Sequence, residues 1–287
     1  MARLRRYHDR ATLPDAPWGR TVGREQEDHT MDEDHGTDFD SLAEAYERMA
    51  TALPFREHIE SHTLFTLLGD ITGRAVLDLG CGSGLYTRRL RELGASTATG
   101  IDSSDGMLDF ARRRAAAADL DITYLSREAT APPAEGDPQL DGRFDLVSSV
   151  YVLCYAPTRQ ALAGFCRTAR RALRPNGGRF VFATLNPDVA VEPGWYAHYG
   201  IDFAIGPAAR DGAEAPAVMK VPGFEEFPLL PYRWSRRAYE DALHEAGFTT
   251  VTWVHPRVSA EGVAAYGEFH WANYLKIPHA LYVDCAV

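Results

Sequence analysis

Lysine is nearly absent from this chain. Lys220 and Lys276 are the only two, and 30 Lys and Arg face 40 Asp and Glu for a formal net charge of −10. A phosphate backbone is held by clustered cations, so this balance disfavours nucleic acid as partner or substrate. Cysteine is scarce as well. Cys81, Cys154, Cys166 and Cys285 form no C-x-x-C pair and no evenly spaced framework, which argues against a disulfide scaffold and implies reduced thiols in a cytoplasmic protein. No apolar run approaches the roughly 18 residues of a membrane span. The basic start "RLRR" leads into no apolar stretch, so neither an anchor nor a signal peptide is expected. Metal-ligand spacing is missing too: "HYGID" lacks a second ligand at helical spacing, "DEDHGTD" is a hydrophilic acidic run, and no metal site is expected. What remains, at 287 residues and 45% hydrophobic, is a globular chain with room for one large α/β domain.

Residues 1–36 run from basic to acidic ("REQEDHTMDEDHG") without apolar periodicity and read as a flexible N-terminal arm. From 37 to 287 the pattern is that of a folded domain. "FDSLAEAYERMATAL" carries Leu42, Ala45, Tyr46, Met49 and Leu53 at helical spacing, and Pro54 restarts the chain into a second helix, "FREHIESHTLFTLLGD". Strand and helix then alternate. "RAVLDL", "STATGID", "DITYLS", "RFDLVSSV" and "RFVFAT" read as strands, with Ser103 or Ser104 and then Thr158 as helix caps between them. Alternation of this kind implies parallel strands joined by right-handed crossovers, a doubly wound sheet. Residues 185–234 break it with a Gly- and Pro-rich stretch of about 50 residues, far beyond an ordinary connection, and read as a cap over a substrate. A helix capped by Ser235 and ended by Gly247, the strand "FTTVTWVH", a short helical segment and the strand "HALYVDCAV" close the chain.

Function is most legible in "VLDLGCGSGLYTRRL". Gly80, Gly82 and Gly84 occupy the turn from the first strand into its helix, the place where open α/β sheets bind ligands and where helix N–H groups point outward. Asp78 just before them suits a ligand with positive charge and would repel a pyrophosphate. Asp102 ends the second strand 24 residues later, where a carboxylate can accept from both hydroxyls of a ribose. Together they describe a nucleoside with a cationic tail.

The stretches "VLDLGCGSG", "GIDSSDGML", "FDLVSSVYVLCY" and "LRPNGGRFVFA" resemble the class I S-adenosylmethionine-dependent methyltransferases, from about Phe39 to the end of the chain. The resemblance implies a Rossmann-like seven-stranded sheet with a terminal antiparallel hairpin, here with the cap insertion added. It implies S-adenosyl-L-methionine as cofactor and S-adenosyl-L-homocysteine as product. By the same resemblance Gly80, Gly82 and Gly84 line the methionine and ribose, and Asp78 faces the amino group. Asp102 holds the ribose hydroxyls, Ser103 and Met107 flank the adenine, Val150 offers its carbonyl to the methionine amine, and Tyr46 closes over the methionine end. Tyr46 reads equally well as a core residue of its helix. At the adenine edge, where the family usually shows Asp and a small residue, this chain has Glu128 and Ala129.

Methyl transfer from a sulfonium is an in-line displacement that asks for alignment and exclusion of water, with a base helpful for an oxygen acceptor. His255, ending the sixth strand, is the candidate base, or alternatively a solvated turn residue before Pro256. Tyr151 follows the fourth strand and is the second catalytic candidate. Tyr155 and Asn186 stand at strand ends on the acceptor side, where packing or capping is the competing account. Trp195, Tyr196, His198, Tyr199 and Phe203 of the insertion, with Tyr266, Phe269, His270, Trp271 and Tyr274 of the last loop, suggest a pocket for a flat organic substrate, or else the cap's own small core.

The expected activity is methylation, at nitrogen or oxygen, of a small aromatic or heterocyclic metabolite. A looser similarity to bacterial natural-product tailoring members points to secondary metabolism. No N-P-P-Y-type sequence follows the fourth strand, which again disfavours nucleic-acid amino groups. The chain is compatible with a homodimer. Two rivals stay open: a nicotinamide-dependent oxidoreductase, which would want G-x-G-x-x-G where the third glycine here comes one residue early, and a cofactor-binding protein that transfers nothing.

Overall fold

The computed structural model describes residues 36–175, 177–206 and 209–287. The arm expected over residues 1–36 therefore lies outside the described residues except for Gly36, which opens the first helix. That helix, α1 (Gly36–Ala52), is followed by a π-helical turn (Arg56–Ser61) running directly into α2 (His62–Leu68). Single wide turns of this kind often occur at functional sites, and this one carries Arg56 and the buried Glu60.

The alternating part runs β1 (Ala75–Leu79), α3 (Leu85–Glu92), β2 (Thr97–Asp102), α4 (Asp105–Ala117), β3 (Thr123–Ser126), β4 (Leu146–Val150), α5 (Arg159–Ala172) and β5 (Arg179–Leu185). Caps sit where side-chain chemistry puts them. Ser104 accepts from the Met107 N–H at 3.3 Å and Thr158 from the Ala161 N–H at 3.1 Å. Beyond β5 come the short strands β6 (Ile201–Phe203), β7 (Ala213–Glu214), β8 (Ala217–Met219), β9 (Phe227–Leu229) and β10 (Tyr232–Arg233). The chain closes with α6 (Arg236–Ala246), β11 (Thr250–Val254), α7 (Ala260–Tyr266), α8 (Glu268–Lys276) and β12 (Ala280–Ala286).

Seven strands form the main sheet in the order β11-β12-β5-β4-β1-β2-β3. β1 through β5 pair in parallel, while β12 runs antiparallel to both β5 and β11. This is the expected doubly wound, Rossmann-like sheet with its antiparallel closing hairpin. The order in which strands are added reverses between the parallel neighbours β1 and β4, which opens a crevice at their carboxyl ends.

Alternation along each strand divides the core. Leu77, Leu79, Val147, Phe180, Phe182 and Val283 face α5 and α6, whereas Val76, Leu146, Val181, Ala183 and Tyr282 face α2 and α3. A separate core lies over the carboxyl edge. The sheets β6-β8-β9 and β10-β7 between β5 and α6 bring Tyr196, Tyr199, Phe203 and Met219 against Met49, Leu53 and Phe55 at the N-terminal side and Trp271 and Tyr274 of α8. The carboxyl edge is thus roofed by α1, the π-turn, the inserted strands and α8.

Candidate active site

At the end of β1 the backbone turns through Gly80, Gly82 and Gly84, all in the left-handed region with φ of +70°, +50° and +75°. The N–H groups of Gly80 and Cys81 both donate to the Ile101 carbonyl, at 2.8 and 2.9 Å, and so pin the loop across the end of β2. The glycines differ in what they face. A Cβ on Gly80 would lie 2.4 Å from Val152 Cγ2, so that glycine serves the protein's own packing. A Cβ on Gly82 would meet nothing within 4 Å, and it is here that another molecule can approach the backbone.

Asp102 closes the other side. Its Oδ2 accepts from the Gly82 N–H at 2.8 Å and its Oδ1 from the Ser104 N–H at 3.0 Å. A carboxylate has about four acceptor positions, so Asp102 keeps acceptor capacity for a ligand. Burial raises this carboxyl from its ordinary value, and the backbone N–H groups oppose the shift. Asp78, 2% exposed, accepts from Thr87 Oγ1 at 2.6 Å. Burial pushes its carboxyl up to about 7, with Thr87 opposing and the Asp102 charge adding. A cation brought beside it would restore the charged form. Two acidic groups poised in this way beside an open glycine suit a ligand with vicinal hydroxyls at one end and positive charge at the other.

The remaining donor-side residues lie round this crevice. Ser103 is exposed and Met107 half-buried at the start of α4. Glu128 folds its Oε1 back onto the Thr130 N–H and hydroxyl at 2.8 and 2.7 Å, and the Ala129 carbonyl is occupied by Thr168 Oγ1 at 2.7 Å. Val150 ends β4 beside Ala183 of β5. Tyr46 on α1 is half-buried, its hydroxyl 3.4 Å from Arg56 Nη2 and its ring 5.6 Å from that of Phe227.

Two residues that the sequence reading missed hold α1 in place. Arg88 Nη1 donates to the Ser83 carbonyl of the glycine loop at 2.8 Å, and its Nη2 donates to both oxygens of Glu47. Arg88 lies one turn after Gly84, a position at which an inward-facing arginine is the only local signal.

On the acceptor side Tyr151 follows β4 with φ +56°, a strained conformation for a residue with a side chain. Its hydroxyl donates to Glu60 Oε1, and its oxygen lies 2.9 Å from His279 Nε2. Arg56 Nε is 3.3 Å from Glu60 Oε2. Burial alone would raise Glu60, but the Arg56 charge and the hydrogen bonds from His279 and Tyr151 outweigh it and hold the carboxyl below its ordinary value. Burial pushes the Tyr151 phenol well up.

His255 lies elsewhere. Val254, Tyr282, Ala183 and Val150 form one row across β11, β12, β5 and β4, so His255 stands three strand spacings, about 14 Å, from Tyr151. It is also exposed. The histidine beside Tyr151 is His279, at the start of the antiparallel β12.

Asn186 is committed to the fold: Nδ2 donates to the Pro278 carbonyl at 2.7 Å and Oδ1 accepts from the Asp188 N–H at 2.9 Å. Tyr155 is half-buried against the cap core. Tyr199 donates to the His270 carbonyl at 2.6 Å and Trp271 Nε1 to the Gly262 carbonyl at 3.0 Å, both rings lying within that core. His198 Nε2 and His270 Nδ1 are 2.9 Å apart. Trp195 lies 5.6 Å below Lys276 Nζ, with its indole N–H unpartnered. Among the described residues no group of three or more His, Cys, Asp or Glu is placed to hold a metal ion, and no helix is long and apolar enough to cross a membrane.

Residues 76–177 match a protein family described as "Methyltransferase domain". Over 118 residues the chain is 32% identical to a ubiquinone biosynthesis O-methyltransferase of Shewanella pealeana, a match covering 41% of this chain and 46% of that protein. It is 35% identical over 120 residues to the protein of the same name from Alkalilimnicola ehrlichii, covering 42% and 44%. The chain spans a little under half the length of these curated relatives. An S-adenosylmethionine-dependent methyltransferase from Mesorhizobium loti superposes with a TM-score of 0.56 at 28% identity, over 79% of this chain and 97% of that one.

Proposed function

We propose, from the premise that this chain carries a class I S-adenosylmethionine-dependent methyltransferase domain, that it methylates a small aromatic or heterocyclic metabolite at nitrogen or oxygen. The observation that carries this reading is the pairing of Asp102 with the open face of Gly82: the carboxylate keeps acceptor capacity beside the one glycine of the three whose Cβ position meets no protein atom within 4 Å. The cofactor supplies an electrophilic methyl on a sulfonium. Asp102 would hold its ribose hydroxyls and Asp78 would stand near its ammonium, with Ser103, Met107, Glu128 and Ala129 on the adenine side. Val150 and Tyr46 would border the methionine end.

Residues 185–234 act in this reading as the substrate cap, with Tyr155 and Trp195 at its margin. Its aromatic core, continuous with α1 and α8, supports a site that excludes water and aligns donor and acceptor, which is most of what in-line transfer requires. The net charge of −10 supports a small-molecule acceptor rather than a nucleic acid. Buried free thiols at all four cysteines fit a reducing, cytoplasmic setting, and we place the reaction in secondary metabolism.

The test is turnover. The full chain, incubated with S-adenosylmethionine and a panel of phenols, amines and N–H heteroarenes, should release S-adenosylhomocysteine with at least one class. Tight cofactor binding with no release across the panel would leave a binding protein and overturn the transfer reading.

A further inference from the structure

The hydroxyl that reaches Asp78 has a second hydroxyl behind it. Thr87, fully buried on α3, donates to Asp78 Oδ2 at 2.6 Å. A hydroxyl carries one hydrogen and two lone pairs, so with Asp78 ionised the hydrogen points to the carboxylate and the Thr87 oxygen is left able to accept. Tyr124 of β3 approaches from the other side, buried, its hydroxyl without a hydrogen-bond partner. Burial, with the Cys81 and Asp78 acidic groups adding and Arg88 and the Thr87 hydroxyl opposing, pushes the Tyr124 phenol well up, so it keeps its hydrogen as a donor.

The glycines place this side chain. A Cβ on Gly100 of β2 would lie 2.8 Å from both Tyr124 Cδ1 and Cys81 Sγ, and a Cβ on Gly84, three residues before Thr87, would lie 2.4 Å from the Tyr124 hydroxyl oxygen. Both glycines therefore make room for a tyrosine of the protein itself, which runs under the loop to the opening turn of α3. A buried donor without a partner is rare, because it forfeits its bonds to water. The side-chain acceptor that this turn offers is the Thr87 oxygen.

We infer that Thr87 and Tyr124 are positioning residues for the cofactor's ammonium, acting through Asp78: Tyr124 donates to Thr87 Oγ1 and Thr87 to Asp78 Oδ2, a one-way chain to which the ionised carboxylate supplies no hydrogen and which leaves its other oxygen to the ligand. The inference rests on the methyltransferase reading. Ionisation of Asp78 closes the chain, because a charged acceptor strengthens the Thr87 bond and makes the Thr87 oxygen a better acceptor in turn. The titratable groups round Asp78 are Asp102 of β2, the Cys81 thiol of the loop and the Tyr124 phenol of β3, with Arg88 of α3 acting on the phenol. The Asp102 charge works against ionisation of Asp78, and burial holds the thiol and the phenol neutral, so the two hydroxyls are what favours the charged form.

The experiment is calorimetric titration of the full chain with S-adenosylhomocysteine as a function of pH, for the wild type and for Tyr124→Phe, Thr87→Val and Thr87→Ser, each checked for folding by thermal melt. Tyr124→Phe removes one oxygen and no packing, so it stands as the test if Thr87→Val does not fold. Wild-type affinity should fall below a midpoint of about 7. Tyr124→Phe and Thr87→Val should raise that midpoint by about 0.5 to 1 pH unit, a loss of about 2- to 5-fold at neutral pH that disappears above the new midpoint. Thr87→Ser, which keeps the hydroxyl, should retain the wild-type midpoint. A purely structural role would weaken binding equally at every pH. An unmoved midpoint in Tyr124→Phe, or Thr87→Ser behaving as Thr87→Val does, would overturn the inference and leave the methyltransferase reading intact. If the wild type binds no S-adenosylhomocysteine at any pH, that reading itself fails.

Discussion

One guanidinium nitrogen of Arg88 holds both carboxylate oxygens of Glu47, at 2.8 and 2.7 Å, while the other nitrogen holds the glycine loop through the Ser83 carbonyl at 2.8 Å. The helix that roofs the crevice and the loop that forms its floor are thereby fastened to the same side chain. Both partners are largely buried, with side-chain exposures of 9% and 8%.

Breaking the pair leaves a buried charge without its partner, a change that costs about 3–5 kcal/mol. In Glu47→Ala the loss should appear locally, because α1 can lift from the sheet without unfolding it. Hydrogen exchange should speed up across α1 and leave β1, β4 and β5 protected, and S-adenosylhomocysteine should bind more weakly. Unchanged exchange in α1 would show that the pair does not fasten it.

The glycines of the loop should separate stability from binding. Gly80→Ala forces a methyl to within 2.4 Å of Val152 and should lower both the melting temperature and cofactor affinity. Gly82→Ala meets no protein atom within 4 Å, so its stability cost is only the left-handed backbone, about 1–2 kcal/mol. Its loss of affinity should exceed that cost, since the new methyl enters the ligand's space. Thermal melts paired with calorimetry decide the point, and equal losses in stability and binding for Gly82→Ala would count against a ligand there.

Asp78 predicts a pH dependence with a definite sign. Burial raises its folded-state value to about 7, above the unfolded value of about 4. Between those values the folded chain holds the extra proton, so this group's contribution to stability falls as pH rises from about 4 to about 7. Binding runs the other way. The ligand's ammonium favours the ionised carboxylate, so affinity for S-adenosylhomocysteine should fall as pH drops below about 7, with proton release seen as a buffer-dependent binding enthalpy. Asp78→Asn should remove that dependence; a pH profile unchanged by the substitution would place the titration elsewhere.

The donor half of this site is legible in the sequence because its signals are local. Left-handed turns select Gly80, Gly82 and Gly84, Asp78 is the next-to-last residue of β1 and Asp102 the last of β2, and Ser104, Thr158 and Ser235 cap helices by short-range bonds. The acceptor half is assembled from distant parts. Tyr151 meets Glu60 across 91 residues and His279 across 128, and no local pattern announces either contact. His255 and His279 both border strands, and sheet order alone, with β11 at the edge and β12 inside it, sets one apart from Tyr151 and brings the other beside it. The aromatic residues show the same limit. Composition shows many rings near the cap, but only tertiary packing gathers Tyr196, Tyr199, Phe203, Trp271 and Tyr274 into one buried core, with Tyr196, Phe203 and Tyr274 beside His279.

The central claim is that a nucleoside with a cationic tail binds between Gly82 and Asp102, and calorimetric titration of the full chain with S-adenosylhomocysteine tests it most directly. Wild type should bind saturably, and Asp102→Ala, its fold verified by thermal melt, should bind about 10- to 100-fold more weakly, the worth of hydrogen bonds to a charged acceptor. No heat with the wild type, or equal affinity in the two proteins, would contradict the account.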